Sequence, residues 1–132
     1  MDMDNVEQRI AELKMQGYCC AQIVLSVAGL EPQGKENPDL LQSIRGLCYG
    51  LYSQHACGAL SGGVCALALY DFDKETLRDL SVELVDWFEA HFGGADCVDL
   101  IGLGGTPGPV CRDAILLTTE KCLEILQDND RI

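Results

Sequence analysis

The stretch Ala56-Cys57-Gly58-Ala59-Leu60-Ser61-Gly62-Gly63-Val64-Cys65-Ala66-Leu67-Ala68-Leu69-Tyr70 decides how this chain folds. It begins with small residues and continues as an almost wholly apolar run, which predicts a central helix that other parts of the chain approach closely. Glycine inside a helix costs about 1 kcal/mol relative to alanine, so its three glycines need a compensating reason. Close packing of a backbone, a second helix or a cofactor would supply that reason.

Amphipathic helices are predicted on both sides of this segment. Apolar residues recur at intervals of three and four in the segments 4–17, 18–30, 38–51, 73–92 and 109–126, which is the period of one helix face. The isoleucine and valine content of 18–30 leaves a buried strand as the competing interpretation there. No segment alternates apolar and polar residues as a half-buried strand would.

Length and composition predict one domain. The chain has 132 residues, of which 48% are hydrophobic, and this is enough for a core of its own. Short connections between consecutive helices favour antiparallel neighbours. The expected fold is therefore all-α, a single-domain bundle of five or six helices over residues 1–132.

The charge of the chain limits its expected partners. Asp and Glu number 21 against 9 Lys and Arg, a formal net charge of −12. Such a surface repels phosphate backbones and anionic lipid, so neither nucleic acid nor a membrane is an expected partner. The acidic surface instead favours a redox partner protein with a basic docking face.

The N-terminus carries acidic residues where a signal peptide has basic ones, and no apolar stretch reaches the roughly 18 residues that span a bilayer. We therefore expect a cytoplasmic protein. In a reducing cytosol, cysteines serve metals, catalysis or transient redox chemistry more often than permanent cross-links.

Four of the eight cysteines lie where a helix is predicted to begin, namely Cys20, Cys57, Cys97 and Cys111. The unpaired N–H groups and the macrodipole at a helix start favour an anion and lower the pKa of a thiol. Because thiolates are both nucleophiles and metal ligands, this placement predicts sulfur chemistry.

The other cysteines are less informative. Cys48, Cys65 and Cys122 lie in apolar runs and are interpreted as small buried hydrophobic residues. Cys19 and Cys20 would diverge by about 100° on a helix, so one of them is expected to be chemically idle. His55, two residues before Cys57, is a minor candidate for a further ligand.

The segments Cys20-Ala-Gln and Ala56–Gly63, followed by Cys97 and Cys111, resemble the redox-active protein family named for its C-GCAxxG-C-C cysteine pattern. The likeness runs from about Gly17 to Cys122. It departs from the family name in its central piece, which here has a Cys-Gly-Ala-x-x-Gly form. The resemblance implies a small helical redox protein whose defining cysteines map to these four.

The first hypothesis for function is that Cys20, Cys57, Cys97 and Cys111 converge on a metal centre for electron transfer. An iron–sulfur cluster is preferred over structural zinc. No C-x₂-C pair is present, so the ligands would come from four separate segments. Gly58 and Gly62 are candidate cofactor-binding residues, since glycine lets backbone N–H groups approach cluster sulfurs.

Two alternatives remain open. In thiol–disulfide exchange without metal, Cys57 or Cys111 would attack and another cysteine would resolve the mixed disulfide. In a helical binding module, the cysteines would be merely structural. No hydrolase, P-loop or dinucleotide fingerprint is present, and the sequence leaves open whether the protein is an enzyme.

Overall fold

The computed structural model describes the backbone of residues 3–132 and the side chains from residue 5 onward. Seven α-helices occur in this described part: α1 (Met3–Met15), α2 (Cys20–Val24), α3 (Pro38–Ile44), α4 (Gly58–Ala68), α5 (Lys74–Phe92), α6 (Cys97–Ile101) and α7 (Pro109–Asp128). Helix α2 continues as a π-helical stretch, Leu25–Leu30. Residues 3–132 contain no β-strand, only an isolated antiparallel bridge between Ala56 and Asp96.

The all-α prediction is confirmed, whereas the count of five or six helices is too low. The helix left out of the count is α6, although Cys97 was expected at a helix start. Its five residues are too few for a 3.6-residue period to show in the sequence.

The segment 38–51 was predicted as one helix, and this was wrong at its C-terminal end. Helix α3 stops at Ile44, and a single 3₁₀ turn, Arg45–Leu47, follows it. Cys48 is extended, with φ −71° and ψ 150°. Of the apolar residues that suggested a longer helix, Cys48 is buried from an extended backbone, whereas Leu51 is exposed.

Helix α4 forms the centre of the molecule, as the small residues predicted. It packs against α2, α5 and α7. A Cβ atom built on Gly62 would lie 2.7 Å from the carbonyl oxygen of Ala21, and one on Gly63 would lie 3.1 Å from Cys122 Sγ. The glycines therefore let neighbouring helices approach α4 more closely than any side chain would permit.

The residues Tyr49–Tyr52 form a left-handed turn, with φ of 54°, 57°, 62° and 56°. Only Gly50 among them adopts this conformation without steric cost, since each other residue costs about 1–2 kcal/mol. The surrounding structure must therefore hold the turn in place.

Hydrogen bonds from the turn and its flank reach the loop after α6. Tyr49 Oη donates to the Gly105 carbonyl at 2.7 Å. Gln54 donates from Nε2 to the Gly102 carbonyl at 2.7 Å and accepts at Oε1 from the Gly104 N–H at 2.6 Å. These bonds join the left-handed turn to a second loop of the chain.

No helix among residues 3–132 is both long and apolar enough to cross a membrane.

We expect Gly62→Ala to lower the free energy of unfolding by about 1–3 kcal/mol, because the added methyl group would overlap rigid backbone of α2. Urea denaturation followed by circular dichroism measures this. The matched control is Gly46→Ala, since Gly46 is exposed and has no atom within 4 Å of the added Cβ. The control should leave stability unchanged or raise it slightly. Equal stability of the two variants would contradict this account of the α2–α4 contact.

Candidate functional site

The four cysteines predicted as site residues line one cavity of about 210 Å³. Cys20 is the first residue of α2, Cys57 immediately precedes α4, and Cys97 is the first residue of α6. Cys111 lies in the first turn of α7. The expected position of each cysteine at a helix start is thus confirmed, and the fold brings the four to a common space.

Two backbone hydrogen bonds hold the segments of Cys57 and Cys97 side by side. The Cys57 N–H donates to the Ala95 carbonyl at 2.8 Å, and the Cys97 N–H donates to the His55 carbonyl at 2.7 Å. They flank the bridge between Ala56 and Asp96. Residues 40 positions apart in sequence are thereby fixed as neighbours at one end of the cavity.

Gly58 brings the start of α4 against Cys20. A Cβ atom on Gly58 would lie 2.5 Å from Cys20 Sγ and 3.0 Å from the Leu47 carbonyl oxygen. Gly58 lines the cavity, in keeping with its prediction as a cofactor-binding residue. Gly62, predicted with it, faces the backbone of Ala21 and does not belong to the cavity lining.

The wall between the cysteines is mainly apolar, with Ile23, Leu100, Ile101 and Ile115 among the lining residues. Of the described residues that line the cavity, Lys14 is the only one that carries a cationic side chain. A low-polarity wall strengthens electrostatic interactions inside it.

Burial raises the pKa of three of the four thiols, which corrects the expectation that their helix-start positions lower it. The pKa of Cys57 rises to about 12 because burial penalises its thiolate, and the pKa of Cys20 is raised for the same reason. The pKa of Cys97 is raised by burial first and by the nearby Cys111 second. Desolvation therefore outweighs the helix-start effect at these sites.

Neighbouring hydrogen-bond donors act in the opposite direction to burial. The backbone N–H groups of Tyr49 and Ala21 lower the pKa of Cys20, and those of Ala59 and Leu60 lower the pKa of Cys57. The Gln54 side chain lowers the pKa of Cys97. These donors favour the thiolate and oppose the effect of burial, without cancelling it. A cation brought to the sulfurs would act in the same direction as the donors.

Cys19 and Cys48 form a disulfide with a Cα–Cα distance of 6.2 Å. This corrects the interpretation of Cys48 as a merely packed hydrophobic residue and of one member of the Cys19–Cys20 pair as idle. Both residues also line the cavity. The two cysteines are 29 residues apart and come from segments whose contact the sequence pattern does not reveal. The adjacent cysteines Cys19 and Cys20 were the only local feature of the sequence that suggested a disulfide here.

The remaining candidates lie elsewhere. Cys122 is fully buried against Gly63, as expected for a small core residue, whereas Cys65 is only partly buried. His55 is exposed and does not line the cavity, so its side chain is not placed as a further ligand.

The four cysteines line one cavity without forming a compact ligand group. Among the side chains described, from residue 5 onward, no three His, Cys, Asp or Glu side chains are gathered closely enough to hold one metal ion. A zinc ion needs its sulfur ligands about 2.3 Å from a single centre, so the described arrangement does not fit a mononuclear zinc site.

Comparison with families of known proteins supports a redox role. Residues 18–129 match the family model described as "Putative redox-active protein (C_GCAxxG_C_C)". Neither the curated proteins nor the solved structures gave a match to this chain. The family match covers most of the 132 residues and includes all four cavity cysteines. The chain therefore belongs to the C_GCAxxG_C_C family.

Proposed function

We propose that Cys20, Cys57, Cys97 and Cys111 hold an iron–sulfur cluster in the cavity they share, and that the protein transfers electrons. The observation that carries this proposal is the convergence of four cysteines from four separate segments on one space of about 210 Å³. Four thiolates are the usual ligand set of [2Fe–2S] and [4Fe–4S] clusters.

The raised pKa values of the cavity thiols support a role as metal ligands over a role as free nucleophiles. At neutral pH, a thiol with a pKa near 12, such as Cys57, remains protonated and is a poor nucleophile. Metal coordination replaces the proton with a stronger cation, so a buried cysteine binds metal as a thiolate in spite of its surroundings.

The groups around the cavity sulfurs would adjust the reduction potential of a bound cluster. The backbone N–H groups of Tyr49, Ala21, Ala59 and Leu60 lower the pKa of cavity thiols, and Lys14 supplies positive charge at the cavity wall. Hydrogen bonds to sulfur and nearby positive charge raise the reduction potential of an iron–sulfur cluster. A bound cluster would supply one-electron chemistry, while the chain fixes its ligands and its polarity.

The partner we propose is a protein with a basic docking face. The net charge of −12 would attract it over several ångströms and make association dependent on ionic strength. This part of the proposal is supported by charge alone.

A second candidate function is thiol–disulfide exchange, which the Cys19–Cys48 disulfide favours because it shows that sulfur pairing fits this fold. The raised pKa of Cys57 argues against that residue as the attacking thiol. Cys111 is only partly buried and is the better candidate for attack under this reading.

Replacing any one of the four cavity cysteines with serine should remove most of the iron and acid-labile sulfide from the protein. The four single variants are Cys20→Ser, Cys57→Ser, Cys97→Ser and Cys111→Ser. Mutating a residue that only hydrogen-bonds a metal ligand typically lowers metal affinity by about 10-fold to 100-fold, and we expect the loss of a ligand itself to cost at least as much. Metal analysis, sulfide analysis and visible absorbance of protein purified without oxygen measure the loss.

The matched control is Cys65→Ser, which removes a free cysteine outside the cavity lining. It should retain the iron and sulfide content of the unmodified protein. Wild-type protein without iron or sulfide, or equal retention in all five variants, would contradict the cluster proposal.

In protein freed of metal by a chelator, the alkylation rate of Cys57 by iodoacetamide should keep rising with pH from 7 to beyond 10. The pKa of Cys57 is raised to about 12, so its thiolate fraction grows about 10-fold per pH unit below that value. Mass spectrometry of the labelled peptide measures the rate, with urea-unfolded protein as the reference that levels off near pH 9. A plateau near pH 7 in the folded protein would instead indicate a stable thiolate and favour thiol–disulfide exchange.

A further inference from the structure

We propose that the Cys19–Cys48 disulfide is a reversible site for exchange with a dithiol, and that it fastens the left-handed turn Tyr49–Tyr52 against the four-cysteine cavity. This inference goes beyond the proposed function, because it concerns two cysteines outside the candidate ligand set. It rests on the position of the disulfide, the backbone conformation beside it and the contacts of the turn.

The disulfide is placed where a dithiol can reach it. Cys48 is buried, with 4% of its surface exposed, whereas Cys19 is only partly buried and lines the cavity together with Cys48. Access to a sulfur atom is one of the conditions that set the rate of thiol–disulfide exchange. Because Cys19 is the less buried residue of the pair, we infer that an incoming thiolate attacks its Sγ.

The exchange balances with a dithiol as the only co-reactant. Its thiolate bonds to Cys19 Sγ as the Cys19–Cys48 bond breaks, and Cys48 leaves as a thiolate that takes up a proton. The second thiol of the reagent then displaces Cys19. Two electrons pass to the protein, and the reagent leaves as its own disulfide.

The turn that follows Cys48 is the part of the cavity wall with an unfavourable backbone conformation. Tyr49, Leu51 and Tyr52 have φ between 54° and 62°, and Gln54 has φ 57°. Non-glycine residues keep such a conformation only where the surrounding structure enforces it. The disulfide ties residue 48, the residue directly before the turn, to the start of α2.

The turn also belongs to the site. Tyr49 and Gly50 line the cavity together with Cys20. The turn and its flank are also fastened to the loop after α6, by Tyr49 Oη and the Gln54 side chain. Breaking the disulfide removes the covalent tie at residue 48, so that the turn loosens at its first residue and the wall beside Cys20 opens.

The test uses the protein as purified, with its metal content unchanged, incubated with increasing dithiothreitol. Alkylation followed by mass spectrometry reports whether Cys19 and Cys48 become labelled together. Hydrogen–deuterium exchange reports the amides of residues 49–56, including the His55 N–H that donates to the Gly50 carbonyl at 2.9 Å. Amides of α7 serve as the internal reference for global unfolding.

We expect paired labelling of Cys19 and Cys48 together with exchange about 10-fold faster or more in residues 49–56, while α7 stays protected. Cys19→Ser and Cys48→Ser should show the same fast exchange without any dithiol. Cys65→Ser should behave like the unmodified protein. The labelling readout concerns only Cys19 and Cys48, so it separates this inference from the question of whether the four candidate ligands bind a cluster.

Two outcomes would overturn the inference. In the first, Cys19 and Cys48 become labelled only when α7 also loses protection, which would make the disulfide a structural cross-link. In the second, the pair is reduced and residues 49–56 exchange as slowly as before, which would show that the disulfide does not fasten the turn.

Discussion

The contact between the start of α4 and the start of α2 is the constraint on which the rest of this structure depends. Gly58 leaves room for Cys20 Sγ, and Gly62 leaves room for the backbone of Ala21. A side chain at either position would push the helices apart by an amount that close-packed interiors do not absorb easily. The same contact that packs the core therefore sets Cys20 beside Cys57 at the cavity.

Two opposing effects act on the pKa values of the cavity thiols. Helix starts and backbone N–H donors stabilise a thiolate, while burial in a mainly apolar wall destabilises it. Burial wins for Cys20, Cys57 and Cys97, whose pKa values are all raised. Such thiols are poor free nucleophiles at neutral pH, which is the reason for proposing a metal centre here instead of thiol–disulfide exchange.

Much of the fold could be predicted from the sequence, because helix periodicity and end signals are local. Asp73 and Gly93 are typical residues for the start and the end of a helix, and they lie directly before and after α5. The left-handed turn could not be predicted, since Tyr49, Leu51 and Tyr52 are residue types that avoid that conformation. The Cys19–Cys48 disulfide could not be predicted either, because Cys48 reaches Cys19 only if α3 ends before it and the chain at Cys48 is extended. Positions of the four cysteines at helix starts followed from local signals, but their thiol pKa values depend on burial, which is a property of the whole fold.

The parts of the chain that line the cavity differ in how strongly local structure supports them, and this difference affects where the cavity can open. Its four cysteines come from the starts of α2, α4, α6 and α7, where regular helices fix them. Its lining also includes Tyr49 and Gly50, from a left-handed turn that only tertiary contacts maintain. Regions that open most easily are those with the weakest local support, whatever the stability of the whole molecule. Any opening of the cavity is therefore expected on the side of the left-handed turn, while the helix starts keep the four cysteines in place.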